Sequence, residues 1–432
     1  MKKRKSSASG VAAARRAESL HLMNTYKRPS PVFTHGRGCY VYDQSGRTYL
    51  DFLGGIAVNA LGHAHPRLVR VIRREAGRAI HHSNLFHNSF QGPLAARLAQ
   101  WSGLDRVFFT NSGGEAIEGA LKLARLVARR RAGSAAQPPS KLLALENSFH
   151  GRTAGALALT ASAKYRDPFA PLIPGVEFVR FNDVADLEAK FDASVCAIFL
   201  ETIQGEGGIH PVSEQFYLRA RDLATRHGAA LVADEIQCGL GRTGRAFAYQ
   251  KFAASAAPDI VAVAKPLAGG LPLGAFIARE DFASAIAPGH HGSTFGGGPL
   301  VCAAALEFLS VVEEEKLMDN VRARGAEVRA GLETLKKKFG FIREIRGEGL
   351  MLGAELDCDG TPYVEKALSR GLLINCAHEH TLRLLPPFII TRRHVAEFLD
   401  KLETVLRTTA RVKTPASPPV IAARPAAFAA AR

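Results

Sequence analysis

Three short stretches hold residues whose types and spacing could do chemistry. In "IVAVAKPLAGG", Lys265 directly follows five apolar residues. An ammonium at the end of a buried strand is costly to desolvate, so burial favours the neutral amine, a nucleophile able to add to a carbonyl. In "ALVADEIQCGLGRTG", Asp234 also ends an apolar run, where a lone carboxylate needs a cationic partner or hydrogen bonds. In "FFTNSGGEAIEGALKLAR", a strand runs into Ser112, Gly113 and Gly114, then into a helix that is apolar at Ile117, Ala120, Leu121 and Ala124. A glycine turn at a helix start offers free N–H donors and the positive end of the helix dipole, a cradle for phosphate. The stretch lacks the P-loop lysine and the G-x-G-x-x-G spacing, which argues against a nucleotide.

Each feature alone has a plainer explanation: a lysine that snorkels to solvent, a structural ion pair, a tight strand-to-helix turn. Together they are the three handles that pyridoxal phosphate requires: an amine, an acid for its pyridinium nitrogen and a phosphate cradle.

These residues must be positioned by the elements that end in them. Residues 106–110, 142–146, 196–201, 230–235 and 260–265 predict buried strands, alternating with helices near 114–131, 214–227 and 299–315. That alternation predicts an α/β fold with a mostly parallel sheet, in which ligands collect at the carboxyl ends of strands. The last hundred residues predict an α+β module: a helix over 320–338, short strands near 342–347, 350–357, 372–376 and 381–386, and a helix from His394 to Arg407. Pro266 biases Lys265 toward an extended backbone.

With 432 residues the chain exceeds one compact core, and 47% hydrophobic with 22% charged residues is ordinary globular composition. No apolar run reaches the length of a membrane span. The net charge of +16 is concentrated at the ends. Lys2, Lys3, Arg4, Lys5, Arg15 and Arg16 face no acid within residues 1–16, nor do Arg407, Arg411, Lys413, Arg424 and Arg432 within 407–432, which leaves +5 for the body. Such ends predict solvated, disordered arms, so no nucleic-acid or membrane partner is expected. The apolar stretch at Val11–Ala14 is too short for a secretory signal, although an Arg- and Ser-rich transit peptide is an alternative. Six scattered cysteines without metal spacing predict a reducing, cytoplasmic setting and no metal.

From about residue 23 to 404 the sequence resembles the class III aminotransferases of the pyridoxal-phosphate fold type I superfamily. The motifs that carry the resemblance are "YLDFLGGIAVNALGHAHP", "FFTNSGGEAIEGALKLAR", "SFHGRT", "ETIQGEGG", "ADEIQCGLGRTG", "PDIVAVAK", "HGSTFGGGPL" and "LRLLPPFII". The resemblance implies a large domain over 61–310, with a mostly parallel helix-covered sheet that binds the cofactor. It also implies a smaller α+β domain from 20–60 and 311–406; outside these, composition predicts a basic disordered extension over 1–19 and a basic Ala/Pro-rich tail over 407–432. The resemblance implies that Lys265 bonds to the cofactor and moves the reacting proton, that Asp234 pairs with the ring nitrogen, and that Gln237 sits near the ring's 3-oxygen. Ile236 and Phe149 would flank the ring, Ser112, Gly113 and Gly114 would take the phosphate, and Thr294 would reach that phosphate from a neighbouring subunit, making a homodimer with a shared site. Arg152 is implied as the clamp for a substrate carboxylate and Ser293 as a substrate contact from the partner chain. Glu206 and Arg383 correspond to a switchable pair, and Tyr26 to a gating residue. The implied reaction moves the ω-amino group of N2-acetylornithine to 2-oxoglutarate, giving N-acetylglutamate semialdehyde and glutamate. Succinyldiaminopimelate, succinylornithine, ornithine and 4-aminobutyrate are alternative donors, and Ile56, where ornithine enzymes tend to have an aromatic, favours the acetylated one. The chain departs from the family pattern at Gly114, Ile117 and Gly298, and at 265–268, which read "KPLA".

Overall fold

The computed structural model describes residues 8–134 and 137–411. Its centre is a seven-stranded sheet built from β1 (Arg106–Thr110), β2 (Lys141–Leu145), β3 (Val176–Val179), β4 (Val195–Glu201), β5 (Ala230–Asp234), β6 (Ile260–Val263) and β7 (Gly274–Ala278). The order across the sheet is β1-β7-β6-β5-β4-β2-β3. Strands β2 to β6 pair in parallel, while β7 pairs antiparallel with both β6 and β1. Strand β7 was not anticipated from the sequence, because "LPLGAF" follows a glycine pair and a proline that read as loop.

The strands are apolar throughout because both faces of the sheet are covered. Along β5, Leu231 and Ala233 join one buried cluster, whereas Ala230 and Val232 join another on the opposite face. Strands β6 and β7 divide in the same alternating way, as does β4 from Ala197 to Leu200, as the two-residue pleat requires. The helix Gly113–Ala132 packs on the second face through Ala116, Ile117, Ala120, Leu123 and Ala124. Ile117, one of the departures from the family pattern, is fully buried there.

Gly119 lets this helix lie close to the sheet. A Cβ at this position would overlap the Phe276 ring, which is stacked on Phe108 at 5.3 Å and cannot move aside. Gly119→Ala is therefore expected to destabilise the protein by about 1–2 kcal/mol in a denaturant titration, overpacking outweighing the helix propensity gained.

A four-stranded antiparallel sheet follows, with Thr381–Leu384 lying between Met351–Leu356 and Asn375–Ala377. Helices Leu317–Lys338 and Arg392–Thr408 pack together. The second of these starts two residues before the expected His394, because His394 Nδ1 accepts from the Thr391 N–H at 3.0 Å and so sits in the first turn. A further sheet combines Phe33–Arg37, Tyr40–Asp43 and Thr48–Asp51 with Leu372–Leu373.

Residues 8–21 correct the expectation of a disordered extension over 1–19: Ala8–His21 is a helix. Five alanines with Arg15, Arg16, Glu18 and Leu20 give the segment high helix propensity despite its charge. Residues 1–7 lie outside the described residues, as do Lys413, Arg424 and Arg432 of the tail. Arg407 belongs to the last helix, and Arg411 Nη2 donates to both carboxylate oxygens of Asp357 at 2.8 Å. Among the described residues no helix is long and apolar enough to cross a membrane.

Candidate functional site

A cleft of about 330 Å3 opens at the carboxyl edge of the sheet. It is lined from the ends of β1 (Asn111 to Gly114), β2 (Phe149 to Gly151), β4 (Glu201), β5 (Asp234, Ile236 and Gln237) and β6 (Ala264, Lys265). Because β7 runs against its neighbours, its approach at Gly270 to Leu273 reaches the same edge. Eight of the residues expected at a site thus meet in one place: Ser112, Gly113, Gly114, Phe149, Asp234, Ile236, Gln237 and Lys265.

Lys265 takes a left-handed backbone with φ +30°, not the extended form that Pro266 predicted. The tight turn after β6 overrides the proline's preference: the Leu267 N–H donates to the Ala264 carbonyl at 2.9 Å and carries the chain around Lys265. A side chain in that region costs about 1–3 kcal/mol, and such strain gathers where a group must be aimed. Burial pushes the Lys265 ammonium below the usual lysine range, and the nearby Arg383 adds to this, against the charges of Asp234, Glu206 and Glu201.

Asp234 is buried, and its Oδ1 accepts from the Ile236 N–H at 3.0 Å. Its Oδ2 meets His150 Nδ1 at 2.8 Å. Burial opposes a charge on His150, but the hydrogen bond to Asp234 and the charges of Asp234 and Glu201 outweigh it and raise its pKa above the usual histidine value. His150 was missed in the sequence although it stands between Phe149 and Arg152. The usable signal was the buried carboxylate's need for a cation.

Glu201 was also missed. It pairs in register with Asp234 across β4 and β5, so two carboxylates leave the sheet side by side. Glu201 Oε1 accepts from the Phe149 N–H at 3.0 Å and Oε2 from the Gly205 N–H at 2.9 Å. Burial pushes its carboxyl up to about 7, opposed by the His150 charge and assisted by Asp234. A raised acid favours the protonated fold, so its contribution to stability is full below the unfolded carboxyl pKa and is lost as pH climbs through about 7. Glu201→Gln is therefore expected to flatten the fall in melting temperature between pH 4.5 and about 7. Parallel melting curves for variant and parent across that window would refute this.

The next residue, Glu235, has a structural part. It is buried and accepts from Thr202 Oγ1 at 2.8 Å and from the Ala248 and Tyr249 N–H groups at 2.9 Å.

The set fits pyridoxal phosphate. The Gly113–Ala132 helix points its N-terminus into the cleft, with Ser112 as N-cap, and its first N–H groups have no intrahelical partner. A Cβ on Gly113 would press on Ile236 Cδ1 at 2.9 Å, so the glycine keeps Ile236 close to the cradle. Asp234 offers a buried anion, Phe149 an aromatic face, and Lys265 an amine of lowered basicity. Among the described residues no group of three or more His, Cys, Asp or Glu is placed to hold a metal ion.

Glu206 and Arg383, expected as a pair, lie 2.6 Å apart through Oε1 and Nη1. Arg383 is fully buried, and its Nη1 also donates to Gln237 Oε1 at 3.2 Å, next to the cleft. Glu206 and Phe149 line an adjoining cavity of about 760 Å3 with Tyr165, Lys164 and His378. Arg152 is exposed beside Phe149. Ser293 and Thr294 do not line the cleft of their own chain. They line a separate cavity of about 770 Å3 with Asn84, Leu85 and Phe109, although Ser293 Oγ accepts from Asn111 Nδ2 at 3.3 Å. Tyr26 is 70% exposed, lies beside Arg28 and lines none of these cavities.

Residues 23–406 match the family described as aminotransferase class-III. An acetylornithine aminotransferase of Methanocaldococcus jannaschii is 44% identical over 389 residues, covering 90% of this chain and 96% of the relative. Among solved structures, an ornithine aminotransferase from Toxoplasma gondii ME49 superposes with a TM-score of 0.86 at 34% identity, covering 92% of this chain and 95% of that one. An acetylornithine aminotransferase from Elizabethkingia anophelis superposes with a TM-score of 0.82 at 32% identity, covering 92% and 99%.

Proposed function

Because the chain belongs to the class III aminotransferases, we propose that it transfers the ω-amino group of N2-acetylornithine to 2-oxoglutarate with pyridoxal phosphate as cofactor. The observation that carries the reaction is the convergence of Lys265, Asp234 and the Gly113 helix start on one cleft. The choice of amine is supported by the acetylornithine aminotransferases among the chain's relatives.

Pyridoxal phosphate, when bound, supplies an electron sink that stabilises negative charge at the substrate carbon bearing the amine. The helix N-terminus at Ser112 to Gly114 would hold its phosphate, Phe149 and Ile236 would flank its ring, and Gln237 would sit near its 3-oxygen. Asp234, hydrogen-bonded to His150 Nδ1 at 2.8 Å, would pair with the ring nitrogen and favour its protonated form. Lys265 Nζ, its basicity lowered by burial, would take the proton from the amine-bearing carbon and later return it. Arg152 grips the carboxylate of N2-acetylornithine while Glu206 neutralises Arg383. When 2-oxoglutarate enters, Glu206 swings away and Arg383 binds the α-carboxylate.

That switch has a testable cost. Glu206→Gln leaves Arg383 charged without its partner, so the ratio of kcat/KM for glutamate to that for N2-acetylornithine is expected to rise roughly tenfold, the value of one partly exposed charge pair. An unchanged ratio would remove Glu206 from the device.

We further propose a homodimer with a shared site, in which Ser293 and Thr294 serve the partner's cleft. Ile80, Leu85, Phe86 and Phe295 are each more than 60% exposed, and Asn84 Nδ2 ties this region together by donating to the Ser293 carbonyl at 2.8 Å. Such apolar exposure supports burial against a second copy, and a monomer in sedimentation would refute it. Six unpaired cysteines support a reducing, cytoplasmic setting.

The overall reading is tested by comparing kcat/KM for N2-acetylornithine, succinylornithine, succinyldiaminopimelate, ornithine and 4-aminobutyrate. The acetylated donor is expected to lead, and a clear lead for any other donor would overturn the assignment.

A further inference from the structure

Arg152 makes no hydrogen bond or ion pair with any described side chain, yet its guanidinium is not loose. Its Cζ lies 3.6 Å from the centroid of the Tyr165 ring, at van der Waals contact with the ring face, and 5.6 Å from that of Phe149. The two rings meet edge to face, with centroids 6.3 Å apart and an interplanar angle of 85°. The segment carrying Tyr165 is fixed to the strand end that carries Phe149. The Ala161 N–H donates to the Ser148 carbonyl at 3.0 Å, and Ser148 Oγ donates to the Leu159 carbonyl at 2.8 Å. Tyr165 then starts from a turn closed by its N–H donating to the Ser162 carbonyl at 3.0 Å.

We propose that Tyr165 is a positioning residue for Arg152. Its ring face holds the guanidinium beside Phe149 while leaving the planar edge of N–H donors free for a substrate carboxylate. A free arginine loses much rotamer freedom when it grips a carboxylate in bidentate fashion, and a stacked one has already lost part of it. Stacking uses the face of the guanidinium and carboxylate binding uses its edge, so the two contacts do not compete. The tyrosine hydroxyl has no part in this.

The inference rests on the reading of Arg152 as a carboxylate clamp, and its test includes a measurement that needs no turnover. Glutarate, a dicarboxylate that cannot exchange an amine, is titrated into the holoenzyme by calorimetry. Tyr165→Leu is expected to weaken glutarate roughly 2- to 30-fold, the range of a cation–π contact, and to raise KM for N2-acetylornithine in proportion with little change in kcat. Tyr165→Phe keeps the ring face and should match the parent. N-acetyl-1,4-diaminobutane, the same amine without the carboxylate, should turn over equally in the parent and Tyr165→Leu. Glutarate affinity unchanged in Tyr165→Leu, Tyr165→Phe as weak as Tyr165→Leu, or an equal loss with the carboxylate-free amine would each overturn the proposal. A parent enzyme that ignores N2-acetylornithine but binds glutarate more tightly than Tyr165→Leu does would sink the substrate reading alone and leave this one standing.

Discussion

Lys265→Ala is expected to lower turnover of N2-acetylornithine with 2-oxoglutarate by at least about 10⁴-fold, since it removes both the nucleophile and the proton carrier. The fold should survive. Lys265 lines a cleft and makes no hydrogen bond to a described residue, so its removal leaves no partner unsatisfied and relieves a desolvated amine. Thermal melting should therefore stay level or rise. Its φ of +30° adds a control: Lys265→Gly should melt above Lys265→Ala, because only glycine holds that conformation without strain. An alanine variant within tenfold of the parent would refute the assignment of Lys265. A variant that loses activity together with its melting transition would mean that the lysine supports the fold.

Asp234→Asn is expected to lower kcat by roughly 10²- to 10⁴-fold, the usual range for losing a preorganised charge in a dry site. The replacement is isosteric and keeps an acceptor for the Ile236 N–H, but it removes the anion that balances His150. Without that anion, burial lowers the His150 pKa, and nothing then holds a proton on the cofactor's ring nitrogen. Glu235→Gln is the comparison. It sits one residue on, in a web of structural hydrogen bonds, and should lower the melting temperature with a much smaller effect on kcat in the enzyme that remains folded. If the two variants lost activity alike, the distinction between the neighbouring acids would fail.

That distinction shows where the sequence was informative. The apolar runs before Lys265 and Asp234 marked both as strand ends, and the glycines after Ser112 marked a helix start, so the main groups of the cleft were legible from local pattern. The Ala8–His21 helix was legible too, had alanine content been weighed above charge.

Other features were not legible, because they depend on strand order. Glu201 lies beside Asp234 because β4 and β5 are neighbours in register, and the 32 residues between them carry no trace of that adjacency. His150 reaches Asp234 across β4, and β7 closes the sheet against β6 in the opposite direction. The backbone at Lys265 went against its proline, since the turn closed by the Leu267 N–H on the Ala264 carbonyl carries the chain around it. The sequence by itself determined the elements and the groups at their ends, because periodicity and desolvation act locally. Only the tertiary structure decided which groups meet, because register and strand order bring together residues whose spacing along the chain says nothing of their distance in space.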